Sequence, residues 1–85
     1  MIEVGQKILS KKDVTHGSIS ICTSGKIYVI DGVEHRFSSD YNNIKFICND
    51  GTSMLTNDDP DSGSYIWDYF IDLERVKRLA KEHIG

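Results

Sequence analysis

Apolar residues recur at every second position along most of this chain and at every third or fourth near its end. Ile19 and Ile21 alternate with serines, and Val33, His35 and Phe37 alternate with Glu34 and Arg36. This is the pattern of strands buried on one face. Val4 to Leu9 reads as a first short strand, Lys26 to Ile30 is β-branched and aromatic, and Ile44 to Cys48 is the clearest buried strand. Between the runs lie turn residues: Thr23-Ser24-Gly25, Asp31-Gly32 as a hairpin signal, and Asn49-Asp50-Gly51 leading back into Thr52 to Thr56. Ser10 to Gly17, Ser38 to Asn43 and Asn57 to Ser64 read as loops. Tyr65 to Leu73 reads as a closing strand, with Tyr65, Trp67 and Tyr69 on one side and Ile66, Asp68 and Phe70 on the other.

From Asp72 the period changes. Leu73, Val76, Ala80 and Ile84 fall on one helical face, Asp72 stands as the N-cap, and Gly85 ends the run, so a helix is expected over about 73–84. Short strands with tight turns and one terminal helix predict a mainly β protein: a small antiparallel barrel of about five strands with a C-terminal α-helix. The expected core is Ile19, Ile21, Ile27, Val29, Ile44, Phe46, Trp67 and Tyr69.

The 85 residues give room for a single domain spanning 1–85. No stretch approaches the ~18 apolar residues of a membrane span, and the opening MIEVGQKILSKK lacks the order of a signal peptide. A cytoplasmic location is therefore expected. Cys22 and Cys48 lie in apolar runs and read as buried free thiols. Charge refines the picture. Residues 1–49 hold six Lys/Arg against five Asp/Glu, whereas Asp50 to Glu74 holds seven acidic residues and no cation. The end, RVKRLAKEHIG, is basic again. A phosphate backbone asks for a continuous basic face, which only that end supplies.

Four chemistries fail on spacing. Gly25-Lys26 is not a phosphate loop, since Gly17 is eight residues upstream and Ile27 replaces the required hydroxyl residue. The acidic loop does not fit an EF-hand: counted from Asp59, the sixth residue is Ser64 and the twelfth Phe70, and counted from Asp58 the third is Pro60. Cys22, Cys48, His16, His35 and His83 are scattered singly, without the close pairs of a zinc site. A catalytic thiol needs a basic, partly exposed setting, which neither cysteine has in the sequence. No metal, no cofactor and no enzymatic activity are expected.

What remains is surface. The stretch YIWDYF sits among Asp58, Asp59, Asp61, Asp68 and Asp72, and Trp and Tyr are frequent binding hot spots. Asp58, Asp59, Asp61, Tyr65, Asp68 and Tyr69 are thus the expected partner-binding set. The rival reading is a nucleic-acid-binding barrel using Lys7, Lys11, Lys12, Lys26, Arg36 and Lys45.

Four segments carry a family resemblance: Val4-Gly5-Gln6-Lys7-Ile8, Gly25-Lys26-Ile27-Tyr28-Val29, Ile47-Cys48-Asn49-Asp50-Gly51 and Tyr69-Phe70-Ile71-Asp72-Leu73. In this the chain resembles small accessory proteins of tailed bacteriophages, over residues 4–73. Gln6 departs from the usual aspartate, and loop 10–24 and helix 74–84 are additions. The resemblance implies an SH3-like barrel, and most such proteins lack an assigned activity; the function expected here is that of a phage-type accessory protein that binds and modulates or inhibits a host protein with a basic surface, such as a defence or transcription component.

Overall fold

The computed structural model describes residues 2–37 and 39–84, with the side chains of His83 and Ile84 left aside. Expectations for Ser38, for Gly85 as the helix stop and for the Ile84 side chain lie outside the described residues. The chain runs β1 (Lys7–Ser10), β2 (Val14–His16), β3 (Ile19–Cys22), β4 (Ile27–His35), β5 (Asn42–Ile47), β6 (Ser53–Asn57), α1 (Ile66–Tyr69), β7 (Phe70–Asp72) and α2 (Leu73–Ile84). It is mainly β with a C-terminal helix. Five strands form one antiparallel sheet in the order β6-β5-β4-β1-β7, and β2 and β3 form a separate hairpin.

The sheet does not close into the expected barrel. Among the described residues its edges, β6 and β7, do not pair with each other, and an isolated parallel bridge joins Asn57 to Tyr65, just before α1. The reason lies in residues 65–73, which were expected to be one long strand. Residues 66–69 instead make a single helical turn, which leaves three residues for β7. Ile66 and Phe70, four apart, both turn into the core from that helical turn. Nearly every position in this stretch is apolar or aromatic, so alternation alone had no contrast to read.

Asp31-Gly32 is not a hairpin turn. Ile30 pairs with Phe46 and Gly32 with Lys45, so Asp31 is an extra residue bulged out of β4, and the strand continues to His35. The bulge bends β4. Its first half pairs with β1 and its second with β5. A second bulge explains the hairpin. Val14 pairs with Cys22 and Thr15 with Ser20, which leaves Ile21 extra, and the adjacent Ile21 and Cys22 are both buried.

The core is Ile8, Ile21, Cys22, Tyr28, Ile30, Ile44, Phe46, Cys48, Ile66 and Phe70. Ile21, Ile44 and Phe46 are as expected. Ile19 (52% exposed), Ile27 (51%) and Val29 face outward instead, and Trp67 and Tyr69 are half-buried against the core. On β4 the register is inverted because Tyr28 can be buried without an orphaned hydroxyl. Its oxygen accepts the Thr23 N–H at 2.7 Å and donates to Asn49 Oδ1 at 2.6 Å.

The Asn49-Asp50-Gly51 turn forms where the sequence indicates it, with Gly51 at φ +86°. Gly51 N–H donates to the Cys48 carbonyl at 3.0 Å. Asp50 accepts from the Cys48 thiol and from the Thr52 amide and hydroxyl, and these bonds hold its carboxyl down at about 2. Asp72 caps α2 as expected. Its Oδ1 accepts the N–H of Glu74 at 3.0 Å and the Gln6 amide at 3.0 Å, so chain start and helix start are tied together.

Candidate binding cleft

The β2–β3 hairpin does not join the sheet but folds over one end of it, and a cleft of about 180 Å³ opens between the hairpin and β6. Val14 and Ile21 form one wall, Met54 and Leu55 the other, and Phe46, Tyr69 and Phe70 also line it. Adjacent apolar residues on β6 make this possible: Met54 turns half inward while Leu55 stays exposed. That pair was the sequence signal for the wall, since Met-Leu breaks the alternation of Thr52 to Thr56. The cleft is well below the ~300–1,000 Å³ of a small-molecule or cofactor pocket and suits one large apolar side chain.

Tyr69 sits at the meeting of the two sequence-derived maps. Its hydroxyl donates to the Gly63 carbonyl at 3.0 Å, and the Lys12 ammonium lies 4.6 Å from its ring centre. An acidic-site residue and a lysine of the rival map thus share one contact, a cation–π pair.

The acidic loop is internally built. Asn57, buried, accepts the Asp59 N–H at 3.1 Å and donates to Ser62 Oγ at 2.9 Å. Asp59 accepts the Asp61 N–H at 3.0 Å and faces Arg36 Nη1 at 3.5 Å. Asp58 accepts from the Asn42 backbone N–H at 2.6 Å and from its amide at 3.0 Å. The Thr56 hydroxyl donates to the Ser64 carbonyl. Asp58 and Asp59 are therefore spent on shaping the loop. Asp61 and Asp68 are exposed, and their carboxylates accept no hydrogen bond among the described residues. Tyr65 is half-buried at the loop's end, and Asp68 stands on the outward ridge of α1 between Trp67 and Tyr69.

The rival cations are dispersed. Lys7 lies on β1, Lys11 and Lys12 follow it, Lys26 precedes β4, Arg36 follows it and Lys45 is on β5. Arg36 is engaged by Asn43 and Asp59, and Lys26 donates to Asn49 Oδ1 at 3.1 Å.

Among the described residues no three His, Cys, Asp or Glu side chains converge as a metal site would require. No described helix is long and apolar enough to cross a membrane. Cys22, at the cleft's inner end, is fully buried; burial, and then the neighbouring Cys48, push its thiol up to about 11, against a smaller opposing pull from Lys26. A thiol with that pKa is almost wholly protonated at neutral pH and is a poor nucleophile. Iodoacetamide is expected to label Cys22 of the folded protein far more slowly than the denatured chain at the same pH, read by peptide mass. Equal rates would mean that Cys22 is not buried beneath the hairpin's contact with the rest of the chain.

The chain matches no family model, no curated protein and no solved structure.

Proposed function

We propose that this protein is a protein-binding module whose cleft beside Tyr69 takes an apolar anchor side chain from a partner with a basic surface. The observation that carries this reading is the cleft itself, with apolar walls, a volume of one side chain, and Tyr69 in its lining. Buried apolar anchors in such pockets supply most of an interface's energy. Asp61 and Asp68 contribute a negative field that speeds encounter with a basic partner and weakens with salt. Asp58 and Asp59 act by holding the loop, and Tyr65 and Tyr69 by contact area.

An SH3-like fold belongs to the same proposal. A bent strand shared by two half-sheets, a hairpin set between the first strand and that strand, and one helical turn before a short last strand support it. If the resemblance to phage accessory proteins extends to function, the partner is a host protein, and the effect on it is modulation or inhibition.

The test is capture from a nuclease-treated bacterial lysate, followed by measured affinity for whatever the wild type retains. Leu55→Asp, which puts a charge at the cleft wall, should weaken that affinity by roughly 30-fold or more, the scale of a hot-spot loss of about 2 kcal/mol. Asp61→Lys should slow association and flatten its salt dependence, and Lys7→Glu with Lys45→Glu should change little. Binding of labelled DNA or RNA at physiological salt that the lysine substitutions abolish would sink the proposal.

A further inference from the structure

Strand β6 is an edge of the sheet, and its hydrogen-bond parity is fixed at both ends. Cys48 N–H donates to the Thr52 carbonyl at 2.9 Å, and Asp58 N–H donates to the Asn42 carbonyl at 3.2 Å. In an antiparallel ladder these bonds make Ile47–Ser53 and Asn43–Asn57 non-bonded pairs, so Met54 and Thr56 exchange bonds with Phe46 and Ile44. Ser53, Leu55 and Asn57 therefore turn their N–H and C=O groups away from β5. Asn57 agrees with this parity, since its N–H donates outward to the Ser64 carbonyl at 3.2 Å. Ser53 and Leu55 are exposed, and their outward groups have no backbone partner among the described residues. Proteins commonly guard such an edge with lysine, proline or a bulge. Here β6 reads SMLTN, and its register with β5 is unbroken. Met54, Leu55 and Thr56 all line the cleft. Side chains alternate along a strand, so three consecutive lining residues mean that the cleft meets β6 at its edge.

Two N–H and two C=O groups on alternate residues of a strand are complementary to another extended backbone. We propose, resting on the cleft as a binding site, that the partner supplies an extended segment which adds to the free edge of β6 as an antiparallel strand. Two residues of that segment exchange backbone bonds with Ser53 and Leu55. The residue between them lies opposite Met54 and shares its face, so its side chain turns toward the cleft that Met54 lines. One segment thus delivers both the backbone bonds and the apolar anchor. Past Leu55 the Ser64 carbonyl already occupies the edge, which keeps the contact short. Charge separates a foreign strand from a second copy. Asp50 precedes β6, Asp58, Asp59 and Asp61 follow it, and there is no Lys or Arg from Phe46 to Glu74. Lys45 lies opposite Leu55, but one strand in from the edge. Antiparallel pairing of two β6 strands through Ser53 and Leu55 would bring Asp50 of each copy toward Asp58 of the other, a repulsion made twice. A segment with Lys or Arg at its ends meets carboxylates instead, in keeping with a basic partner.

The probe is the peptide Lys-Thr-Val-Thr-Leu-Thr-Val-Thr-Lys, titrated into the full chain and followed by backbone amide chemical shifts and amide exchange. In the free protein the Ser53 and Leu55 amides should exchange fast and those of Met54 and Thr56 slowly. Bound peptide should slow the first pair. N-methylation of the two threonines that flank the leucine removes the N–H groups aimed at β6 and should weaken binding by about 10-fold or more. N-methylation of the leucine itself, whose N–H points away, should cost less than about 3-fold. Ser53→Pro removes an outward N–H and spares the β5 ladder, so it should act like the threonine methylation. Glutamate in place of both terminal lysines should weaken binding by about 10-fold. Equal effects of the two methylations, the reverse pattern, or no binding at all would overturn the added strand. If Leu55→Asp still weakened a peptide indifferent to the methylation site, the cleft would stand as a binding site without it. A dimer of the chain that Ser53→Pro dissociates would overturn the foreign strand in favour of self-pairing.

Discussion

Phe70→Ala is expected to cost about 3–5 kcal/mol of folding stability, the largest effect of any single truncation considered for this chain. Phe70 is 3% exposed, and its ring meets two others edge to face, Phe46 at 5.0 Å and Tyr28 at 6.0 Å between centroids. Truncation removes the buried area and both aromatic contacts, each worth about 0.5–1.5 kcal/mol beyond burial. It also opens the floor of the cleft, since Phe70 lines it. A domain of this size has about 4–13 kcal/mol in total, so the loss is a large fraction of it. Trp67→Ala should cost less, about 1–2 kcal/mol, because that ring is half-buried and lines a groove beside α2. Denaturant unfolding of the two variants measures the difference. Equal costs would contradict the assignment of Phe70 to the core and Trp67 to its margin.

Asn49→Ala should cost about 2–3 kcal/mol, although Asn49 sits in a turn and is only half-buried. Its amide nitrogen donates to Ser20 Oγ at 2.8 Å and Thr23 Oγ1 at 3.1 Å. Its amide oxygen accepts the Tyr28 hydroxyl at 2.6 Å and the Lys26 ammonium at 3.1 Å. The backbone N–H donates to the Ile21 carbonyl at 2.9 Å. These bonds fasten the β2–β3 hairpin to the β5–β6 turn, and among the described residues the hairpin pairs with no other strand. Alanine keeps the backbone bond and removes the rest, leaving the hydroxyl of buried Tyr28 without its acceptor. The exposed lysine contributes little to the sum. A double-mutant cycle with Tyr28→Phe should give a coupling of about 1 kcal/mol, and amide exchange in Ile19–Cys22 should quicken. Because the hairpin is one wall of the cleft, the same change should weaken partner binding without touching the partner. Additive costs and unchanged exchange would show that Asn49 is not the fastening.

The site was legible to different degrees. Tyr69, which lines the cleft, was in the expected set because aromatic and acidic residues cluster in that stretch of the sequence. The two walls, Val14 with Ile21 on the hairpin and Met54 with Leu55 on β6, were not in that set, since they come from strands more than thirty residues apart. Asp58 and Asp59 carry the same charge as Asp61, and nothing local separates them. Their roles differ because Asn42 and Arg36 happen to reach the first two.

What the sequence by itself determined is local. Turn chemistry placed the β5–β6 turn at Asn49-Asp50-Gly51, the change to helical spacing placed α2, and Asp72 was fixed as its cap. Each of these depends on residues a few positions apart, where backbone sterics and nearby hydrogen bonds decide the outcome. Tertiary structure decided which face of an all-apolar run turns inward. Ile27-Tyr28-Val29-Ile30 is equally apolar on both sides, and the choice fell to Tyr28 and Ile30 because Thr23 and Asn49 satisfy the Tyr28 hydroxyl. Tertiary packing likewise made Asp31 a bulge rather than a turn, because continuing β4 brings Val33 opposite Ile44, which is fully buried. It also made residues 66–69 a helical turn that buries Ile66 and Phe70 together, and with that it left the sheet open.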